Sequence, residues 1–397
     1  MTTGSRPFAS GVLVVLRSEA SGGEIPGSWP VAGLPLLRRI VLAAERAGFE
    51  RVLVAPDGAG LLAGTAAEVL RPDGPFPSLP GRRLVLLPAH ILPQPAWLRC
   101  RLEMPVEPER LYVDGDSVLV IEPGDLRSVV AVAMQCASTA EAVARLRAKF
   151  KTVDGPSDEE GRFVVASARE IPAAEAWLLR GLIKANESFM SRHVERRISL
   201  ALTSRLAATS ITPNGMTMVS VTIGLLGALF FLSSAAGWQL LGACLFLAHS
   251  ILDGCDGELA RLKFLESARG ARLDIVGDNL VHVAVFTSMA VGWSLQAQAL
   301  WPLVLGGVTL LSTLAAAVIV HGRGMRASVD EQAGSPLSRL ADALVYRDFI
   351  YVIVLLASLG LAHWFLVLTA VGAPTFLAVL AWIGVRDRAR RRRGRAP

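Results

Sequence analysis

Charged residues are scarce in this chain of 397 residues: Asp, Glu, Lys and Arg make up 19%, where about 25% is usual in soluble proteins. Hydrophobic residues reach 52%, and the mean hydropathy is +0.46. That balance excludes a disordered chain, and its uneven spread excludes a wholly soluble one. Cysteine is also rare. The four residues, at positions 100, 136, 244 and 255, fit neither a disulfide framework nor a zinc site, so a reducing cytosolic setting is expected. No aromatic interleaving or known motif accompanies the arginines, which argues against nucleic acid as a partner. Near the N-terminus the run Val12–Leu16 is too short for the apolar core of a signal peptide, so the N-terminal half is expected in the cytosol.

What is present divides sharply. Residues 1–197 are rich in Arg, Asp, Glu, Pro and Gly, whereas 216–384 hold apolar stretches of the roughly 20 residues that cross a bilayer. Four segments follow from this: a cytosolic domain at 1–185, a basic amphipathic connector at 186–215, a membrane domain at 216–385, and a basic tail at 386–397. The connector reads as a helix lying on the membrane surface. Six spans are expected, near 216–235, 238–253, 274–293, 299–320, 348–362 and 365–384. With the N-terminal half in the cytosol, every inside segment carries arginine and the short outside loops carry no Lys or Arg, in accord with the positive-inside rule. Both termini are then cytosolic. The formal charge of +6 owes much to the run Arg386–Arg395, which suits an anionic membrane surface.

In the first half, short β-rich runs alternate with amphipathic stretches. Strands are expected at Val12–Leu16, Arg51–Ala55, Arg83–Leu87 and near Phe163–Ala166, and helices at Leu36–Ala47, Thr139–Phe150 and Ile171–Ala185. Tyr112–Val113 and Val118–Ile121 flank an Asp114-Gly115-Asp116 turn, which signals a hairpin. The alternation predicts an α/β sheet domain.

Chemistry concentrates where the second span meets the cytosol. Asp253 and Asp256 are three residues apart, Asp274 and Asp278 four apart, so each pair shares one helix face. Side-by-side packing of the two helices would gather four carboxylates at the edge of the membrane. Ionisable groups there are expensive unless they serve a function. A divalent cation relieves both repulsion and burial. All-oxygen ligands suit Mg²⁺ or Mn²⁺, and two such ions about 3.5–4 Å apart form a phosphoryl-transfer device. Gly257 and Gly270 allow close approach, and Arg261 offers a planar fork of donors to a phosphate.

The pattern D-x-x-D-G-x-x-A-R-x8-G-x3-D-x3-D, complete here from Asp253 to Asp278, resembles the signature of the CDP-alcohol phosphotransferases. The resemblance covers roughly residues 186–385, including the Thr212-Pro213-Asn214 entry to the first span. It implies a six-span helical bundle, a homodimer, and displacement of CMP from a CDP-linked donor by an alcohol. It further implies metal binding by Asp253, Asp256, Asp274 and Asp278, with Asp278 also the base that takes the hydroxyl proton. Gly257, Arg261, Ser267, Pro213, Asn214 and Thr217 fall at positions that hold the CDP part. Candidates for the acceptor are Arg192, Arg196, Arg197, Arg323, Arg326 and Arg347, with topology signals as the alternative reading. His249 and His282 sit on spans near the same face, where pocket lining and span packing are equally good explanations.

The segment Trp29-Pro-Val-Ala-Gly33-Leu-Pro35, followed by Ala47-Gly48-Phe-Glu-Arg-Val-Leu-Val, resembles the start of a nucleotidyltransferase-like, Rossmann-like domain. Such a domain precedes some CDP-alcohol phosphotransferases, including those that make inositol phosphodiesters. The departures matter. Leu16–Gly23 lacks the Gly-rich loop that cradles a triphosphate, and no Lys occurs before Lys149. After Arg83–Leu87 the chain reads Pro88-Ala89-His90 where an acidic metal ligand is expected. A degenerate, non-catalytic module is therefore expected; the alternatives are a bifunctional enzyme that also makes its own CDP-alcohol from CTP, or a non-enzymatic membrane scaffold that kept the fold, against which the four aspartates argue. Asp114, Asp116 and Asp125 remain as acidic groups there, and turn or cap roles account for them.

Overall fold

The computed structural model describes residues 11–16, 26–70, 83–115, 117–136, 138–155, 160–183, 190–324 and 349–393. The chain divides into two compact units, Met1–Arg180 and Gly181–Pro397.

The first unit is built on a seven-stranded sheet. Its strands are β1 (Gly11–Leu16), β2 (Arg51–Val54), β3 (Glu68–Val69), β4 (Arg83–Pro88), β5 (Arg110–Asp114), β6 (Val118–Ile121) and β7 (Lys151–Asp154). Their spatial order is β7-β5-β6-β4-β1-β2-β3. β1 runs parallel to both β2 and β4, pairing Val14 with Leu53 on one side and Leu86 on the other. Every residue of β1 and β4 is buried, as expected for strands that are covered on both faces and read as unbroken apolar runs. β6 is antiparallel to β4 and β5, so the expected hairpin is present, and Gly115 supplies its left-handed turn residue at φ +59°.

Among the described residues, five α-helices accompany the sheet: α1 (Leu36–Ala47), α2 (Pro95–Glu103), α3 (Leu126–Gln135), α4 (Thr139–Lys149) and α5 (Ile171–Arg180). α5 stops five residues short of its expected end, and α2 and α3 were not anticipated. Leu119, Ile121, Val129, Val130, Val143 and Leu146 join the inner strands in one core.

Buried charge in this unit is answered from within. Arg39 is 2% exposed; its guanidinium donates to the carbonyls of Val31 and Ala32 at 2.6 and 2.8 Å. Burial lowers its pKa to about 10, against the raising influence of Glu175. Asp114, read from sequence as a turn residue, is instead a buried ion-pair partner. Arg101 donates to it through Nε and Nη2 at 3.0 and 2.5 Å, and Arg162 stands 3.2 Å away. Both guanidinium groups lie over the Trp97 ring, at 4.6 and 5.7 Å. Asp125 does cap a helix, accepting from the Arg127 amide at the start of α3. Asp116 lies outside the described residues.

The second unit is helical: α6 (Arg196–Ala207), α7 (Pro213–Phe230), α8 (Ala236–Leu262), α9 (Ala268–Ala297), α10 (Trp301–Gly324), α11 (Phe349–Ser358) and α12 (Ala362–Arg393). Five of them, α7 to α10 and α12, are long and apolar enough to cross a membrane, an integral membrane architecture. The fifth expected span, 348–362, holds only the ten-residue α11; the residues before 349 lie outside the described ones. The connector is one π turn, Ser191–Glu195, running into α6, and a break at 208–212 separates it from α7. α12 continues into the basic tail as far as Arg393.

Small residues set the packing of α7, α8 and α9. A Cβ at Gly277 would lie 2.5 Å from Val221 Cγ2, and one at Gly224 would lie 2.6 Å from Val281 Cγ1. A Cβ at Gly242 would lie 2.8 Å from the Gly227 carbonyl. α7 and α8 thus approach backbone to backbone at Gly227 and Gly242, and valines of α7 and α9 seat against glycines of the facing helix, as small-residue interfaces in membranes do.

Candidate active site

α8 and α9 deliver the acidic residues. They are joined by a tight turn in which Phe264 takes a left-handed conformation at φ +57°, and Ser267 caps α9 by accepting from the Gly270 amide at 3.0 Å. The turn brings the end of α8 beside the start of α9. As a result, ligand oxygens of Asp253, Asp256 and Asp274 all lie within 4.8 Å of one another. Asp253 and Asp256 are buried, and Asp274 is partly so. Three like-charged carboxylates drawn this close, two of them out of water, form a donor set that fits a hard divalent cation. The Thr217 hydroxyl, one turn into α7, donates to Asp256 and also contacts the Pro213 carbonyl at 3.2 Å.

Asp278 stands in a different setting. Its Oδ1 lies 3.5 Å from His249 Nε2 and 3.6 Å from His282 Nδ1. Both histidines therefore belong to the site's surroundings.

The remaining predicted positions separate into three groups. Asn214, Ser267 and Gly270 meet where α7 and α9 begin: a Cβ at Gly270 would lie 2.9 Å from Asn214 Oδ1 and 3.0 Å from Ser267 Oγ. Thr212 holds this end of α7 in place by accepting from the Gly215 amide at 3.1 Å, which leaves Pro213 and Asn214 in the first turn. The Arg261 guanidinium folds back over Gly257, where a Cβ would stand 3.3 Å from it. Of the acceptor candidates, Arg192 and Arg197 are exposed, Arg323 falls in the last turn of α10, and Arg326 and Arg347 lie outside the described residues.

Arg196 has a partner the sequence did not reveal. It pairs with Glu258, which is 0% exposed, and Ser199 and Thr203 donate to the same carboxylate at 2.7 Å each. Three donors from one face of α6 thus close on one acid of α8, two residues past Asp256. Glu258 was not singled out by sequence because its partners lie 55 to 62 residues away. The only local hint was a run of donors at helical spacing.

Known proteins are similar to part of this chain. Residues 210–374 match the model of the CDP-alcohol phosphatidyltransferase family. The matched stretch contains the whole Asp253–Asp278 pattern. A bifunctional IPC transferase and DIPP synthase of Thermococcus kodakarensis is 35% identical over 154 residues, 38% of this chain and 34% of that protein. The inner membrane protein YnjF of Escherichia coli is 41% identical over 99 residues, 24% of this chain and 46% of its own length. The chain thus spans about a third of the length of the bifunctional relative it matches. Among solved structures, the Mycobacterium tuberculosis phosphatidylinositol phosphate synthase with CDP-DAG bound is 20% identical. The match covers 47% of this chain and 94% of that one, with a TM-score of 0.34.

Proposed function

We propose that the helical unit transfers a substituted phosphate group from a CDP-linked donor to an alcohol and releases CMP. The observation that carries this reading is the convergence of Asp253, Asp256 and Asp274 from two helices, with Asp278 one turn beyond Asp274. The new bond joins the acceptor oxygen to the transferred phosphorus. The bond from that phosphorus to the oxygen of CMP breaks, and the hydroxyl proton goes to a carboxylate. Mg²⁺ or Mn²⁺, two ions by the resemblance, would be held by the aspartates and would neutralise the pyrophosphate. The chain's own groups do the rest. Arg261 meets phosphate oxygens, Asn214 and Ser267 border the donor, and Asp278 takes the proton from a hydroxyl that is a poor nucleophile until it loses it. Arg192, Arg197, Arg323, Arg326 and Arg347 remain acceptor candidates; Arg196 is engaged by Glu258.

The deciding measurement is mass spectrometry of lipids and polar phosphodiesters from cells making the wild type or Asp274→Ala. A product missing only in the variant names the donor and acceptor. An identical product set in both would end this reading.

The arginine distribution supports a cytoplasmic-membrane protein with both termini in the cytosol, and the family resemblance supports a homodimer. A second reading is favoured by the bifunctional name of the relatives: the α/β unit would make the CDP-alcohol from CTP. Pyrophosphate released from CTP by the purified protein would establish it. CMP release from a supplied CDP-alcohol, without pyrophosphate release from CTP, would leave the α/β unit a non-catalytic module.

A further inference from the structure

Two imidazoles flank Asp278, and they reach it differently. His282 lies on the same helix, one turn along, with Nδ1 2.8 Å from the Asp278 backbone carbonyl. His249 comes from α8 and is 1% exposed. Its Nδ1 lies 3.0 Å from the Ser220 carbonyl of α7. A carbonyl oxygen only accepts, so Nδ1 carries the hydrogen and donates it, which fixes the ring and leaves Nε2 to face Asp278. Among the described residues, the buried Nε2 has no hydrogen-bond partner of ordinary length; Asp278 Oδ1 stands at the edge of that range, at 3.5 Å. The backbone makes room for the ring, since a Cβ at Gly224 would lie 2.9 Å from His249 Cγ. A buried ring nitrogen left short of a partner is costly. Catalytic contacts are often long in a resting site and tighten when substrate is bound.

We propose that His249 is a positioning residue for Asp278: held by Ser220, its Nε2 presents an acceptor to the carboxylic O–H that forms when Asp278 takes the acceptor's proton. Once that proton has passed from the hydroxyl oxygen to Asp278, the carboxylic O–H donates to Nε2 and the proton stays on Asp278. This rests on the proposed role of Asp278 as base.

Two amide variants separate the two ends of the ring. In His249→Asn the amide can still donate to Ser220 but does not reach Asp278. In His249→Gln the amide reaches the place of Nε2. CMP release is measured with purified protein, Mg²⁺, and CDP-diacylglycerol or CDP-inositol with inositol phosphate as acceptor; affinity for CDP is measured by calorimetry. For His249→Asn, kcat is expected to fall about tenfold to a hundredfold, the scale of a misplaced catalytic group. KM for the donor and affinity for CDP should stay within about twofold, as for a group that acts only in the transition state. His249→Gln should recover most of the loss. Neither change should lower the residual rate of Asp278→Asn further. If His249→Asn does not fold, His249→Phe, which keeps a ring beside Phe246, replaces it. Wild-type kcat in His249→Asn, equal losses in both amide variants, or a further loss on top of Asp278→Asn overturns the proposal. Wild-type turnover in Asp278→Asn overturns instead the base role beneath it.

Discussion

The two units treat buried charge in opposite ways. In the α/β unit a buried ion meets its opposite: Asp114 sits between Arg101 and Arg162, and Arg83 between Glu122 and the carbonyls of Leu102 and Met104. In the helical unit Glu258 follows the same rule, but Asp253, Asp256 and Asp274 break it by bringing three charges of one sign together. Partnered charges contribute to a fixed structure. Converging like charges cost stability, and a protein retains that cost where a ligand of opposite charge offsets it.

That contrast can be broken experimentally. The largest effect is expected from Asp274→Ala, which should cut CMP release by about a thousandfold or more. Without divalent metal its thermal midpoint should match or exceed that of the wild type, because one repelling charge is gone. A metal-free midpoint well below wild type would show the carboxylates to be structural. Chelation by EDTA should likewise stop CMP release in the wild type, and added Mg²⁺ should restore it while raising the midpoint. Asp274→Ala should show no such rise. Next in size is Asp114→Ala, which leaves two buried guanidinium groups without their carboxylate. Denaturant unfolding should show a loss of about 3–5 kcal/mol from the α/β unit, with CMP release from a supplied donor little changed. Glu258→Gln should cost about 1–3 kcal/mol by removing the countercharge of Arg196. The smallest effect is expected from Asp125→Ala, about 1 kcal/mol for a lost helix cap.

The sequence shows those features whose partners lie nearby along the chain. β1, β4 and α1 were legible because apolar runs and helical spacing are local signals. α3 was hidden by Val129-Val130-Ala-Val132, which reads as well for a strand as for a helix. α2 was hidden because its buried face includes Arg101, which breaks the apolar pattern. The shared face of Asp253 and Asp256 was legible from their three-residue interval, since a helix turns spacing directly into a shared face, but their meeting with Asp274 depended on α8 and α9 packing side by side. The Glu258 clamp, the Asp114 ion pairs and the approach of His249 to Asp278 were not legible. Each joins residues from different elements, and only packing brings them together. At the fifth expected span, 348–362, the described helix is Phe349–Ser358, and residue 348 lies outside the described residues.

The Glu258 clamp also bears on where this protein can be cut and rejoined. The matched family region begins at residue 210, but Arg196, Ser199 and Thr203 already grip α8 two residues beyond Asp256. A chimera that exchanged the front domain at residue 210 would discard all three donors and leave a buried acid bare two residues from Asp256. A junction before Ser191 would carry the brace along with the spans it steadies. By its energetics, the transferable module starts about twenty residues earlier than sequence similarity alone would place it.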